Sequence, residues 1–101
     1  MTPSDLKKNQ INSAIELFSK GEINQALDAV QDLFKDYPNE PVLFNIRGAC
    51  HAGLGQLDVA VTNYEEAISI KPDYAKAHFN LGGSLHELGQ LKAAVKSYEK
   101  T

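Results

Sequence analysis

The sequence predicts an all-α fold of stacked helix–turn–helix units, and three observations carry that reading. Gly21, Gly55 and Gly89 stand 34 residues apart, as do Ala26, Ala60 and Ala94, and Pro38 and Pro72. A fixed period of this size marks a stacked repeat, in which one supersecondary unit recurs. Inside the middle copy, Leu57, Ala60, Val61, Tyr64, Ala67 and Ile68 recur at helical spacing and lay one stripe along a helix. No segment shows the strict apolar–polar alternation of a half-buried strand.

Each element has its own local reason. Thr2-Pro3-Ser4-Asp5 reads as a helix start: Thr2 can cap, Pro3 suits the first turn, and Asp5 occupies the acid position of a capping box. The first helix then runs to about Lys20, and Gly21 ends it. A second helix carries Ile23, Ala26, Leu27, Val30, Leu33 and Phe34 as its stripe. Tyr37-Pro38-Asn39 is a turn, because Pro38 lacks a donor and disfavours helical geometry at the residue before it. The middle pair covers about Pro41–Leu54 and Leu57–Ile70. Lys71-Pro72-Asp73 repeats the turn, with Asp73 as the expected N-cap of a helix to about Leu88. A last helix is expected from Leu91 onward, which makes six antiparallel helices in three units, about 7–40, 41–74 and 75–101.

Small residues recur in the middle of each first helix as Ala14, Gly48 and Gly82. Glycine inside a helix costs about 1 kcal/mol relative to alanine, so two at one phase call for a packing reason. The expectation is that Gly48 and Gly82 let the paired helix come close, facing Ala60 and Ala94.

The 101 residues form one domain, 1–101, with the composition of an ordinary globular protein: 43% apolar and 23% charged. A net charge of -3 argues against a nucleic-acid surface, which needs a basic stripe. No apolar run reaches the roughly 20 residues of a membrane span, and the first residues lack the apolar core of a secretory signal. A cytoplasmic setting is therefore expected. The single cysteine, Cys50, excludes an internal disulfide framework and reads as a buried small hydrophobe. His51, His78 and His86 lie at separations that are not ligand spacings, so neither metal nor cofactor is expected. Gly82-Gly83 does not follow a strand, and no nucleophile sits beside a base; the chain does not read as an enzyme.

With the period in place, the chain resembles the tetratricopeptide repeat family. The third unit carries the match through Leu81-Gly82, Leu85, Ala94 and Tyr98, and the middle unit through Phe44, Gly48, Ala60, Tyr64, Ala67 and Pro72. Arg47 stands where the family favours leucine, and His51 where it favours a large apolar side chain. The resemblance implies a right-handed α-solenoid of three stacked repeats whose first helices line a concave groove. Members of the family are mostly adaptors that bind protein segments there, so the expected partner is a protein or peptide.

On that resemblance the groove is expected at Lys8, Ile11, Asn12 and Ile15, then Asn45 and Ala49, then Lys76, Phe79, Asn80 and His86. One branch of the family clamps a peptide's C-terminal carboxylate with lysine, asparagine and arginine side chains. The corresponding places here hold Ile11, Ile15, Ile46, Lys76 and Asn80, and only Lys76 fits, so a clamp is not expected. Asn12 and Asn80 also fall on an asparagine column like that of protein O-GlcNAc transferases, where each amide holds peptide backbone, with Ile46 interrupting it. Leu91, Val95 and Tyr98 have no following helix in the sequence to cover them, which suggests the N-terminal part of a longer protein and a self-association surface. The alternatives to a peptide-binding scaffold are thus an oligomerisation module, or the repeat appendage of a glycosyltransferase-like or sulfotransferase-like enzyme.

Overall fold

A computed structural model describes residues 1–99, the side chains of residues 93, 94 and 96–99 excepted. Five α-helices follow in order: α1 (Pro3–Ser19), α2 (Ile23–Asp36), α3 (Pro41–Gly53), α4 (Leu57–Ile70) and α5 (Ala75–Glu99). The start of α1 is a reciprocal capping box. Asp5 N donates to Thr2 Oγ1 at 3.1 Å, and Thr2 N donates to Asp5 Oδ2 at 3.2 Å. Pro41 occupies the first turn of α3, where a missing donor is harmless. Gly21 (φ 82°) and Gly55 (φ 78°) adopt the left-handed conformation that reverses the chain between α1 and α2, and between α3 and α4. At the second proline turn the N-cap differs from expectation. Helix α5 begins at Ala75, and the carbonyl of Tyr74, not of Asp73, accepts the amide of His78 at 3.1 Å.

Successive helices pack on each other, and the first helices of adjacent units also touch, α1 against α3 and α3 against α5. Ile11, Ala14, Ala26, Val30, Leu33, Leu43, Ile46 and Cys50 form a continuous buried cluster. Leu57, Ala60, Tyr64, Ala67 and Ala77 extend the buried apolar set toward α5. Ala14, Ala26, Ala60, Ala67 and Ala77 are fully buried, and such small side chains let helix axes approach to about 8–10 Å. Cys50 is buried among them, and burial pushes its thiol up, as expected of a packed small hydrophobe.

Close approach at Gly48 is real, and the atoms nearest to it belong to Tyr64. A Cβ on Gly48 would stand 2.6 Å from Tyr64 Cε1 and 2.8 Å from Cδ1. At Gly82 nothing lies within 4 Å of an added Cβ, so the expected crossing with Ala94 does not form there. Arg47 has a packing reason to replace leucine. Its guanidinium lies 4.4 Å from the Phe34 ring centroid and 5.2 Å from that of Phe44, while its Nε donates to Asn63 Oδ1 at 2.6 Å. His51 is half-buried, its Nδ1 2.6 Å from Gln56 Oε1.

The main correction concerns the sixth helix. Residues 75–99 are one continuous helix, and Gly89 lies inside it without a positive φ. Continuing through Gly89 adds a backbone hydrogen bond per residue. A break would leave up to four amides and four carbonyls without helical partners. The turn at Gly55 is offset because Leu57, Ala60, Tyr64 and Ala67 bury behind it. After Gly89 the described apolar side chains are not buried: Leu91 is 56% and Val95 55% exposed. Tyr98, expected on the same uncovered face, lies outside the described side chains.

Candidate functional site

The three first helices converge on one groove of about 850 Å³. Helix α1 supplies Lys8, Ile11, Asn12 and Ile15, spaced by three and four so that all four share a face. Helix α3 supplies Val42, Asn45, Ile46 and Ala49, and the turn into α5 supplies Lys71, Asp73 and Tyr74, with Lys76 and Asn80 following on the helix. Eight of the ten expected groove residues are therefore brought together: Lys8, Ile11, Asn12, Ile15, Asn45, Ala49, Lys76 and Asn80. Two are not. Phe79 stands beside the groove in a shallow depression with Ala75, Lys76 and Asn80, its ring 83% exposed. His86 is farther along α5, exposed, and its Nε2 accepts from Gln90 Nε2 at 3.2 Å.

The groove floor is set by Asn45, which is only 9% exposed. Its Oδ1 accepts from Asn80 Nδ2 at 3.1 Å, tying α3 to α5. Burial pushes the Tyr74 phenol up, partly offset by a hydrogen bond with the Asn45 side chain. Of the two amides that suggested a ladder, Asn80 is thus bonded to Asn45. Asn12, across the groove, is exposed.

The electrostatics depart from those of the whole chain. Four lysines, Lys7, Lys8, Lys71 and Lys76, line the groove against two carboxylates, Glu40 and Asp73, a surplus of two positive charges on a chain of net charge -3. Lys7 is paired with Glu40 and lies 5.1 Å from the Tyr37 ring centroid. Lys71 Nζ sits 5.2 Å from the Tyr74 ring centroid. Lys7, Lys71 and Tyr74 were not expected at this site. Lys71 and Tyr74 belong to the proline turn, which periodicity marks only as punctuation. Lys7 is brought in by its partner Glu40, a contact 33 residues away in sequence. Elsewhere, no three His, Cys, Asp or Glu side chains among the described residues gather as a metal site. No described helix is long and apolar enough to cross a membrane.

Residues 52–89 match the tetratricopeptide repeat family. Small glutamine-rich tetratricopeptide repeat-containing protein 2 of Mycosarcoma maydis is 33% identical over 81% of this chain and 23% of its own length. The STIP1 homolog of Dictyostelium discoideum is 32% identical over 91% of this chain and 16% of its own length. The chain thus spans less than a quarter of either relative. Among solved structures, the Sgt2 TPR domain from Aspergillus fumigatus superposes with a TM-score of 0.77 at 25% identity, covering 98% of this chain and 64% of that one. The first TPR of Spaghetti (RPAP3), solved bound to the HSP90 peptide SRMEEVD, gives 0.76 at 25% identity over 92% and 74%. A 34-residue period, helical hairpins turning on Gly21 and Gly55, and these relatives agree: the chain belongs to the tetratricopeptide repeat family.

Proposed function

We propose that this chain is a protein-interaction module that holds an extended, acidic polypeptide segment in the groove formed by α1, α3 and the start of α5. The observation that carries this reading is the positive surplus of the groove on an otherwise acidic chain. Lys8 and Lys76 face a bound segment's carboxylates, while Ile11, Ile15, Ile46 and Ala49 take its apolar side chains. The right-handed stacking implied by the family would make this face concave. The RPAP3 repeat, similar over most of this chain and solved bound to the acidic HSP90 peptide SRMEEVD, supports this reading. Because Ile11, Ile15 and Ile46 stand where a carboxylate clamp needs polar groups, recognition rests on side-chain charge and not on a free C-terminus.

Fluorescence anisotropy with labelled SRMEEVD tests this, using the peptide free and amidated at its C-terminus, and a version with both glutamates changed to glutamine. The two forms of the acidic peptide should bind within about twofold of each other, since a terminal carboxylate left in solvent contributes only about 0.4 kcal/mol or less. The glutamine version and the Lys8→Glu/Lys76→Glu variant should bind at least about fivefold more weakly, and added salt should weaken the acidic peptide. Binding that survives the charge reversal, or that requires the free carboxylate, would overturn the proposal.

A further inference from the structure

A second cleft, of about 530 Å³, opens on the side of α3 turned away from the groove, between α2, α3 and α4. At 3.6 residues per turn, Phe44, Arg47 and His51 point roughly 180° away from Asn45, Ile46 and Ala49. One period away, the column of Arg47 holds Ser13 and Leu81, and that of His51 holds Leu17 and Leu85. The middle unit alone carries a cation and an imidazole there. Arg47, the chain's only arginine, is held from several sides. Its guanidinium lies over the Phe34 ring and beside that of Phe44, and its Nε donates to Asn63 Oδ1 at 2.6 Å. Asn63 is only 6% exposed, and its Nδ2 donates to Val59 O at 2.9 Å, so the anchor is itself fixed. These contacts use the flat face and Nε of Arg47 and leave its two Nη groups. Among the described residues no carboxylate pairs with them, and no buried side-chain nitrogen lacks a partner, so the Nη groups reach solvent in the cleft.

We propose that this cleft is a second binding site, which takes a single carboxylate on a short apolar stem against the Arg47 fork. A guanidinium holds a carboxylate through two parallel N–H···O bonds, and one already fixed by its neighbours loses little freedom in doing so. Burial disfavours the charged guanidinium, a cost that a bound carboxylate offsets. Phe44 and Val59, the latter 44% exposed, supply the apolar wall for the stem. Glu66 sets the charge that the site accepts. It lines the same cleft, is exposed, and makes no salt bridge with Arg47. One cationic fork beside one carboxylate favours a monoanion; a doubly charged phosphate meets the same fork and a stronger repulsion from Glu66. No residue of the cleft lines the groove of α1, α3 and α5, so this inference stands or falls independently of peptide binding there.

Because Arg47 is the only arginine, its Nε–Hε signal in proton–nitrogen correlation NMR reports on this site alone. The wild-type chain is titrated with sodium butyrate, with glutamate blocked at both backbone ends, with sodium phosphate and, as the ionic-strength control, with sodium chloride. Butyrate and blocked glutamate should move that signal and the Asn63 side-chain amide along a saturating curve. Phosphate should bind at least about threefold more weakly, and chloride should not saturate. Tighter binding of blocked glutamate assigns the site to a protein side chain, and tighter binding of butyrate to a free short-chain acid; both support the proposal. Arg47→Lys, with its fold checked by far-UV circular dichroism, keeps the charge without the fork and should abolish saturation at the Asn63 amide. Glu66→Gln, at an exposed position, should bring phosphate to within about twofold of butyrate. The absence of a saturating shift in the wild type overturns the proposal, as does saturation that survives in Arg47→Lys. Phosphate binding as tightly as butyrate to the wild type overturns the selectivity for a carboxylate.

Discussion

Replacing Gly48 with alanine should destabilise the protein, although the same substitution in most helix interiors does the opposite. Alanine is favoured over glycine by about 0.8–1.0 kcal/mol in a helix, so propensity alone predicts a gain. Against that, the new methyl would sit 2.6, 2.8 and 3.1 Å from three atoms of the Tyr64 ring, whereas carbon atoms pack best at about 3.5–4.0 Å. Tyr64 is 2% exposed, so the ring is enclosed by protein, and relieving the contact means displacing its neighbours or separating α3 from α4. Overpacking of this kind costs about 1–3 kcal/mol, and two contacts below 3 Å place it toward the upper end. The net expectation is a loss of about 1–2 kcal/mol. Gly83→Ala is the internal control: nothing lies within 4 Å of its added Cβ, and the equivalent residue of the middle unit is already Ala49. It should gain about 0.5–1 kcal/mol. Urea unfolding at unchanged m-value reads both, with midpoints moving in opposite directions. If Gly48→Ala is as stabilising as Gly83→Ala, Tyr64 is not seated on Gly48 and the packing argument fails.

Two further outcomes follow from single contacts. Arg47→Ala should lose about 1–2 kcal/mol, because it removes both the stack on Phe34 and Phe44 and the bond to Asn63. Arg47→Lys, which keeps the charge without the planar fork, should recover less than half of that loss in the same urea assay. Acid titration followed by far-UV circular dichroism should expose the capping box. The bonds from the Thr2 backbone and side chain hold the Asp5 carboxyl below its ordinary value of 3.8. The folded state therefore favours the ionised form, and the contribution is complete above 3.8, then lost as pH falls through the depressed value. Asp5→Asn, which removes the titrating carboxyl, should flatten that part of the titration, and an unchanged profile would mean the box carries no charge-dependent stability.

Much of the groove was legible because a helix commits its faces by spacing. Once Lys8, Ile11, Asn12 and Ile15 are placed on one helix they share a side wherever the helix goes, and the 34-residue period carries that side to Asn45, Ala49, Lys76 and Asn80. The same logic failed for His86. The period puts it on the inner face, but that far along α5 it is exposed and lies outside the groove lining. The groove's charge was hidden for another reason. Lys7 and Lys71 enter from a helix flank and from a turn, and only the Lys7–Glu40 pair and the seat of Lys71 over Tyr74 bring them to the site.

By itself, the sequence determined the repeat, the polarity of each helix, the capped start at Thr2 and the left-handed glycine turns at 21 and 55, all of which depend on residues near one another in the chain. Tertiary structure decided whether the third glycine turns. Gly89 is identical in residue type and phase to Gly55, so no local rule separates them. The difference lies in what is buried beyond the turn, since helix propagation is favourable at every residue and only packing on a neighbour outweighs it. Residues 57–67 find that packing between α3 and α5, whereas Leu91 and Val95 remain exposed within one copy.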